Sequence, residues 1–366
     1  MSEEKDIARR VRPDLAALTA YAAHKSPDTL KGVTARKIIK LDANENPYGC
    51  SPRARLALAE YGNWHIYPDA AQTRLRGQLA EYTGTSPERI VAATGSGELL
   101  DDILVLLLGP GDEVINCPPT FDLYRLRTII NGGKLVNIER DADFNVDVPT
   151  VRAAVSEKTK LIVLSNPNNP TGNATPEKDI IALAETGVPL LVDEAYIEFT
   201  GESVVPLTAA YPNIMVLRTF SKWAGLAGLR IGYGIFPAAI AAYLLKIKLP
   251  YNVNVAALVA AEASLQDAAF LMDKVKDIIA ERARLFRELG KVPWLKAYPS
   301  RANFIYCRLT RGKADRLYRR LQEQGILVRY FDQPLLQNGF RVSVGRPEEN
   351  DIFLKTLRGL EGKLDE

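Results

Sequence analysis

The chain alternates short, uninterrupted apolar runs with amphipathic stretches. Arg89-Ile90-Val91-Ala92-Ala93, Asp112-Glu113-Val114-Ile115-Asn116-Cys117, Lys134-Leu135-Val136-Asn137-Ile138, Lys160-Leu161-Ile162-Val163-Leu164, Val188-Pro189-Leu190-Leu191-Val192, Ile214-Met215-Val216-Leu217 and Arg230-Ile231-Gly232-Tyr233-Gly234 each read as a strand. Their apolar residues run on rather than alternate, so both faces are to be buried. That is the pattern of a largely parallel sheet with helices on both sides. A helix is expected from Glu98 to Leu108, after Gly95-Ser96-Gly97. Beyond Leu249-Pro250-Tyr251-Asn252 the pattern changes to a long, Ala-rich helical tract from Ala256 to about Glu288. Strand pieces follow at Asn303-Phe304-Ile305-Tyr306, Gly325-Ile326-Leu327-Val328-Arg329 and Arg341-Val342-Ser343-Val344, with a last helix opened by Pro347-Glu348-Glu349. The pattern predicts an α/β protein: a large domain with a mostly parallel sheet covered by helices, plus a smaller α+β domain built from N- and C-terminal segments. The expected divisions are an N-terminal arm over 1–45, a large domain over 46–255, a connecting helix over 256–290 and a small domain over 291–366.

Composition narrows the function classes. At 366 residues, 47% hydrophobic and 25% charged, the chain can bury a large core. A formal net charge of +3 gives no support for a nucleic-acid or anionic-membrane partner. Cys50, Cys117 and Cys307 are widely spaced, odd in number and form no CxxC pair, which suggests free thiols in a reducing compartment. His24 and His65 are the only histidines, so no His/Cys metal site is expected. There is no GxSxG elbow. The N-terminus is charged without an apolar signal core, and the greasiest run, Ile103 to Leu108, stops at Gly109-Pro110-Gly111. A cytoplasmic enzyme is expected.

The polar residues at the ends of the apolar runs carry the chemistry. Ligands in open α/β sheets bind beyond the carboxyl ends of the strands. Four neighbouring strand ends here place polar groups there: Ser96 and Gly97, Asn169, Asp193 with Tyr196, and Ser221 with Lys222. An unpaired buried carboxylate such as Asp193 is costly and calls for a cation, which a protonated pyridine nitrogen would supply. A helix N-cap is the other use for that aspartate, and a core residue the other reading of Tyr196. Lys222, between Ser221 and Trp223, is placed to be desolvated, which lowers an amine's pKa and frees it as nucleophile and base. Ser221 with Arg230, and the backbone N–H groups at Gly95-Ser96-Gly97, suit a phosphate. These are parts for holding pyridoxal phosphate. Arg341 lies in a strand near the chain's end, where a bidentate anion or an internal ion pair would satisfy it.

Longer motifs carry a resemblance. They are Leu41-Asp42-Ala43-Asn44-Glu45-Asn46-Pro47-Tyr48-Gly49, Tyr67-Pro68-Asp69, Asn166-Pro167-Asn168-Asn169-Pro170-Thr171-Gly172, Asp193-Glu194-Ala195-Tyr196-Ile197-Glu198-Phe199, Arg218-Thr219-Phe220-Ser221-Lys222, Gly225 to Gly232, Pro250-Tyr251-Asn252-Val253-Asn254 and Ala302-Asn303-Phe304. Together, over about residues 15 to 355, they resemble the fold-type I, class II pyridoxal-phosphate aminotransferases, closest to the histidinol-phosphate branch. The resemblance implies that Lys222 carries the cofactor and then moves the proton. It implies that Asp193 pairs with the pyridine nitrogen, that Tyr196 and Asn169 hold the phenolic oxygen, and that Phe121 stacks on the ring. Ser96, Gly97, Ser221 and Arg230 would bind the phosphate, with Tyr67 reaching it from the other subunit of a homodimer. Arg341 would hold the substrate's anionic group, with Arg329 and Tyr21 assisting a phosphate. The substrates implied are an amine donor, L-histidinol phosphate, and a 2-oxo acid. Aromatic or broad-range aminotransferases and a threonine-phosphate decarboxylase-like enzyme share the same frame.

Three departures stand out. The arm reads Ala20-Tyr21-Ala22-Ala23-His24-Lys25, without the family's Pro-Tyr and Pro-Gly pairs. Gly97 stands where the family usually has Asp, so only a backbone contact survives there. Trp223 replaces the common alanine beside the lysine. An NAD-dependent oxidoreductase would account for the glycine turn but not for Asp193, Ser221-Lys222 and Arg230 together. A regulator carrying a DNA-binding head finds no support in the near-neutral charge.

Overall fold

A computed structural model describes residues 7–19 and 38–364. Its centre is a seven-stranded sheet in the order β2-β8-β7-β6-β5-β3-β4. These strands are β2 (Ile90–Ala93), β3 (Glu113–Asn116), β4 (Lys134–Asn137), β5 (Thr159–Ser165), β6 (Leu190–Asp193), β7 (Ile214–Thr219) and β8 (Gly232–Ile235). β4, β3, β5, β6 and β7 run parallel, and β8 is antiparallel to both β7 and β2.

The uninterrupted apolar runs have a direct structural reason. Successive side chains of a strand point to opposite faces, and each face here has its own core. Leu161, Val163, Leu191, Met215 and Leu217 pack with Leu99, Leu100, Ile103 and Leu104 of the helix Ser96–Leu107. Ile162, Leu164, Leu190, Val192, Ile214 and Val216 join the larger core on the other side. Polar residues are therefore excluded until the strands end.

The small domain has a four-stranded antiparallel sheet, β12-β13-β10-β9, made of β9 (Leu295–Ala297), β10 (Phe304–Leu309), β12 (Arg329–Tyr330) and β13 (Gly339–Ser343). Beside it β1 (Ile39–Lys40) pairs in parallel with β11 (Ile326–Leu327). Leu41 continues this seam, accepting from the Ser343 N–H at 2.8 Å. The segment that follows, Asp42 to Asn46, runs from the small domain to the large one.

Two elements differ from the sequence reading. The Ala-rich tract is two helices, Val255–Gln266 and Ala268–Leu289, bent by 82° at Asp267. The Ser264 hydroxyl returns to the Ala260 carbonyl at 2.7 Å, and the Asp267 N–H turns back to Ser264. Such local bonds compete with continuation of the helix. The apolar period runs through the joint, so the break is invisible in the pattern. The run Gly325–Arg329 likewise divides at Val328 between two sheets. Among the described residues no single helix is long and apolar enough to cross a membrane.

Candidate active site

Neighbouring parallel strands end in register: Ser165 on β5 lies opposite Asp193 on β6, and Asp193 opposite Leu217 on β7. Beyond these ends opens a cavity of about 320 Å³. Ser96, Gly97, Asn169, Asp193, Ser221 and Lys222 line it, as do Phe121, Tyr196, Arg230 and Arg341. Ten expected site residues, drawn from the ends of five strands, the turn before β8 and the small domain, thus face one space.

Lys222 is half-buried, and its Nζ donates to the Ala43 carbonyl at 2.9 Å. Burial pushes the amine down to about 7; the Arg341 guanidinium adds to this and Glu45 opposes it. Asp193 is buried at the end of β6. Its Oδ2 accepts from the Tyr124 hydroxyl at 2.7 Å and its Oδ1 from the Ala195 N–H at 3.0 Å. Burial raises its pKa, and these two hydrogen bonds work against that rise. The site therefore holds a lysine biased toward its neutral form and an acid whose ionised form still needs a cation.

An anion cradle lies across the cavity. The helix Ser96–Leu107 begins at Gly95 without a side-chain cap, which leaves N–H groups at its first turn. Gly95 has φ 79°, and a Cβ there would sit 2.5 Å from Nη2 of Arg230. Only glycine lets the guanidinium come this close. Arg230 Nη1 also reaches the Ser221 hydroxyl at 3.4 Å. Opposite, Arg341 donates from Nη1 to Asn169 Oδ1 and from Nη2 to the Asp42 carbonyl at 2.7 Å. The rings of Phe304 and Phe331 lie 5.2 and 5.9 Å from its guanidinium carbon.

Comparison with known proteins agrees with this geometry. The family model for aminotransferase class I and II matches residues 36–357. The chain belongs to the class I and II aminotransferases. It is 50% identical over 352 residues to a histidinol-phosphate aminotransferase of Dehalococcoides mccartyi, covering 96% of this chain and 98% of that one. A histidinol-phosphate aminotransferase of Roseiflexus castenholzii is 48% identical, over 96% of this chain and 98% of the relative. Among solved structures, the histidinol-phosphate aminotransferase of Sinorhizobium meliloti in complex with pyridoxal-5′-phosphate superposes with a TM-score of 0.88 at 29% identity, over 97% of this chain and 98% of that one.

Among the described residues, two expected residues of this aminotransferase lie outside the cavity. Tyr67 is 76% exposed and stacks on Tyr251, with ring centroids 4.6 Å apart. Arg329 lines an adjoining cavity of about 780 Å³, which shares Phe121, Asn169 and Arg341 with the first. Tyr21 is outside the described residues. Sequence reasoning also passed over two side chains. Tyr124 lies one helical turn beyond Phe121, where the spacing to a stacking ring was the available signal. Asn44 lies within the Leu41–Gly49 motif but had no role assigned.

Proposed function

We propose that this pyridoxal-phosphate-dependent aminotransferase acts on L-histidinol phosphate and 2-oxoglutarate, giving imidazole-acetol phosphate and L-glutamate, as a step of histidine biosynthesis. The observation that carries the cofactor reading is the juxtaposition of Lys222 and Asp193 in one cavity. The residues present fit pyridoxal 5′-phosphate. The buried Asp193 carboxylate suits a protonated ring nitrogen, and the uncapped helix start with Arg230 and Ser221 suits a phosphate dianion.

In this reading Ser96, Gly97, Ser221 and Arg230 hold the phosphate, joined by Tyr67 of the partner subunit. Phe121 covers one face of the ring. Asn169 and Tyr196 take the phenolic oxygen. The cofactor, when bound, supplies the electron sink that makes the substrate's Cα–H acidic. Lys222 Nζ, neutral in much of the population near pH 7, takes the proton from that Cα and returns it on the other side of the reaction. Arg341 receives the carboxylate of glutamate, and Arg329 with Tyr21 assists when the anionic group is a phosphate. The same reading places the enzyme in the cytoplasm as a homodimer, with domain divisions near 45, 255 and 290. Exposed Trp64, Ile66, Tyr67, Leu249 and Tyr251 favour a covered surface of that kind.

The test is a visible absorption spectrum of the loaded protein on adding L-histidinol phosphate, L-glutamate or L-phenylalanine. Loss of the cofactor's visible band at the lowest concentration with histidinol phosphate is expected. Stronger conversion by phenylalanine would replace the biosynthetic reading with a broad-range one. Release of carbon dioxide from threonine phosphate would favour the decarboxylase relative. Failure of the protein to take up pyridoxal phosphate would remove the Lys222 assignment.

A further inference from the structure

Asp42, Ala43 and Asn44 touch three different groups of the site. The Asp42 carbonyl accepts from Arg341 at 2.7 Å, and the Ala43 carbonyl accepts from Lys222 at 2.9 Å. The Asn44 Nδ2 donates to the Tyr196 hydroxyl at 2.9 Å. Asn44 is 1% exposed and holds φ 54°, a left-handed conformation that asparagine tolerates better than most residues but that its surroundings must still hold.

The surroundings here do so. The Asn44 N–H donates to Ser343 Oγ at 2.8 Å, and the Ser343 hydroxyl donates to Asn44 Oδ1 at 3.0 Å. The Asn44 carbonyl accepts from Asn303 Nδ2 at 3.0 Å. Because Oδ1 is taken by the serine hydroxyl, the amide has one orientation, with its NH2 toward Tyr196. A phenol that accepts a hydrogen bond must send its own proton elsewhere, and Tyr196 lines the cavity. Accepting also polarises the O–H and strengthens the bond it donates. The Tyr196 ring is held edge-on to Phe304, 5.0 Å between centroids. Phe304 is register partner to Ser343 across β10 and β13.

We propose that Asn44 is a positioning residue of the reaction: its amide directs the Tyr196 hydroxyl into the cavity, Ser343 of the small domain fixes that amide, and Asn303 holds the Asn44 backbone. This rests on the assignment of Tyr196 to the cofactor's phenolic oxygen. A hydrogen bond donated to that oxygen favours its anionic form, so loosening it raises the pH at which the bound cofactor's visible band titrates.

The experiment measures that midpoint in the loaded wild-type protein, Asn44→Gly, Asn44→Asp, Tyr196→Phe and the Asn44→Gly/Tyr196→Phe double variant. Glycine tolerates the left-handed backbone, so Asn44→Gly removes the amide without straining the chain. Tyr196→Phe is expected to raise the midpoint. Asn44→Gly should raise it by roughly 0.3–1 unit, the scale of one modest hydrogen bond, and add nothing in the Tyr196→Phe background. Asn44→Asp should match Tyr196→Phe, because a carboxylate only accepts and draws the hydroxyl toward itself. Ser343→Ala, which frees the amide's orientation, should move the midpoint in the same direction by less. An unchanged midpoint in Asn44→Gly beside a shifted one in Tyr196→Phe overturns the proposal, as does full additivity of the two. An unchanged midpoint in Tyr196→Phe instead removes the Tyr196 assignment, and the Asn44 proposal falls with it.

Discussion

A lysine amine held near neutrality is a different reagent from one on a protein surface. At Lys222 burial and the charge of Arg341 bring the pKa from 10.5 to about 7. The reactive neutral form therefore gains tenfold per unit as pH rises toward about 7, and little beyond it. The rate of pyridoxal-phosphate capture by cofactor-free protein should follow that curve, as read by stopped-flow absorbance. A midpoint near 10 would contradict the burial argument. Tyr124 acts on the other reacting group. Its hydrogen bond stabilises ionised Asp193, so Tyr124→Phe should raise that acid's pKa further and weaken cofactor affinity by roughly tenfold or more, the scale of a hydrogen bond to a charged group at about 1.5–3 kcal/mol. A dialysis-based Kd measurement decides it. Asp193 was legible in the sequence because it ends an apolar run, where a polar residue must have a use, and Lys222 because a second such run leads into Ser221-Lys222. Tyr124 was not, because its partner lies 69 residues away and its own short helix is amphipathic without it.

The elements around the site are joined by contacts that leave no room for change. Gly225 has φ 68°, and a Cβ there would lie 2.3 Å from the Gly49 carbonyl group. Gly225→Ala combines left-handed strain with overpacking and should destabilise the protein by about 2–4 kcal/mol, measurable by denaturant unfolding. Behind β7, the buried Arg218 pairs with Glu194 at 2.8 Å and also faces Glu198. Burial, only partly offset by Arg218, raises Glu198 from 4.5 to about 8. The fold thus keeps a proton that the unfolded chain releases. The contribution of this group to stability is full below about pH 4.5 and is lost as pH climbs toward about 8. Glu198→Gln should flatten that decline, a comparison of Tm at pH 5 and pH 8. β3, β5, β6 and β7 were readable from two-sided burial, since each meets a core on both faces, whereas the edge strand β4 is half-exposed despite its apolar run. The 82° bend at Asp267 was not readable, since the apolar period runs straight through the joint and the break lies in local hydrogen bonds at Ser264 and Asp267.

At the scale of the whole molecule, Tyr67 stands away from the cavity it is proposed to serve, 76% exposed. Mixing Lys222→Ala subunits with Tyr67→Ala subunits should restore activity above either alone, since one of the two hybrid sites keeps both wild-type residues. Steady-state assays after denaturant-assisted exchange would show it, and no recovery would argue against a shared site. The motif Leu41–Gly49 was recognisable from the start, yet its place between the two domains follows from pairings that no local pattern announces. Asn44 and its partner Ser343 are 299 residues apart. At about 5–20 residues per second of synthesis, Asn44 is made some 15–60 s before the serine that orients it. β1 waits as long for β11. A nascent chain can complete its seven-stranded sheet while this corner of the pocket is still without its partner, so the protein becomes competent only when the last strand leaves the ribosome.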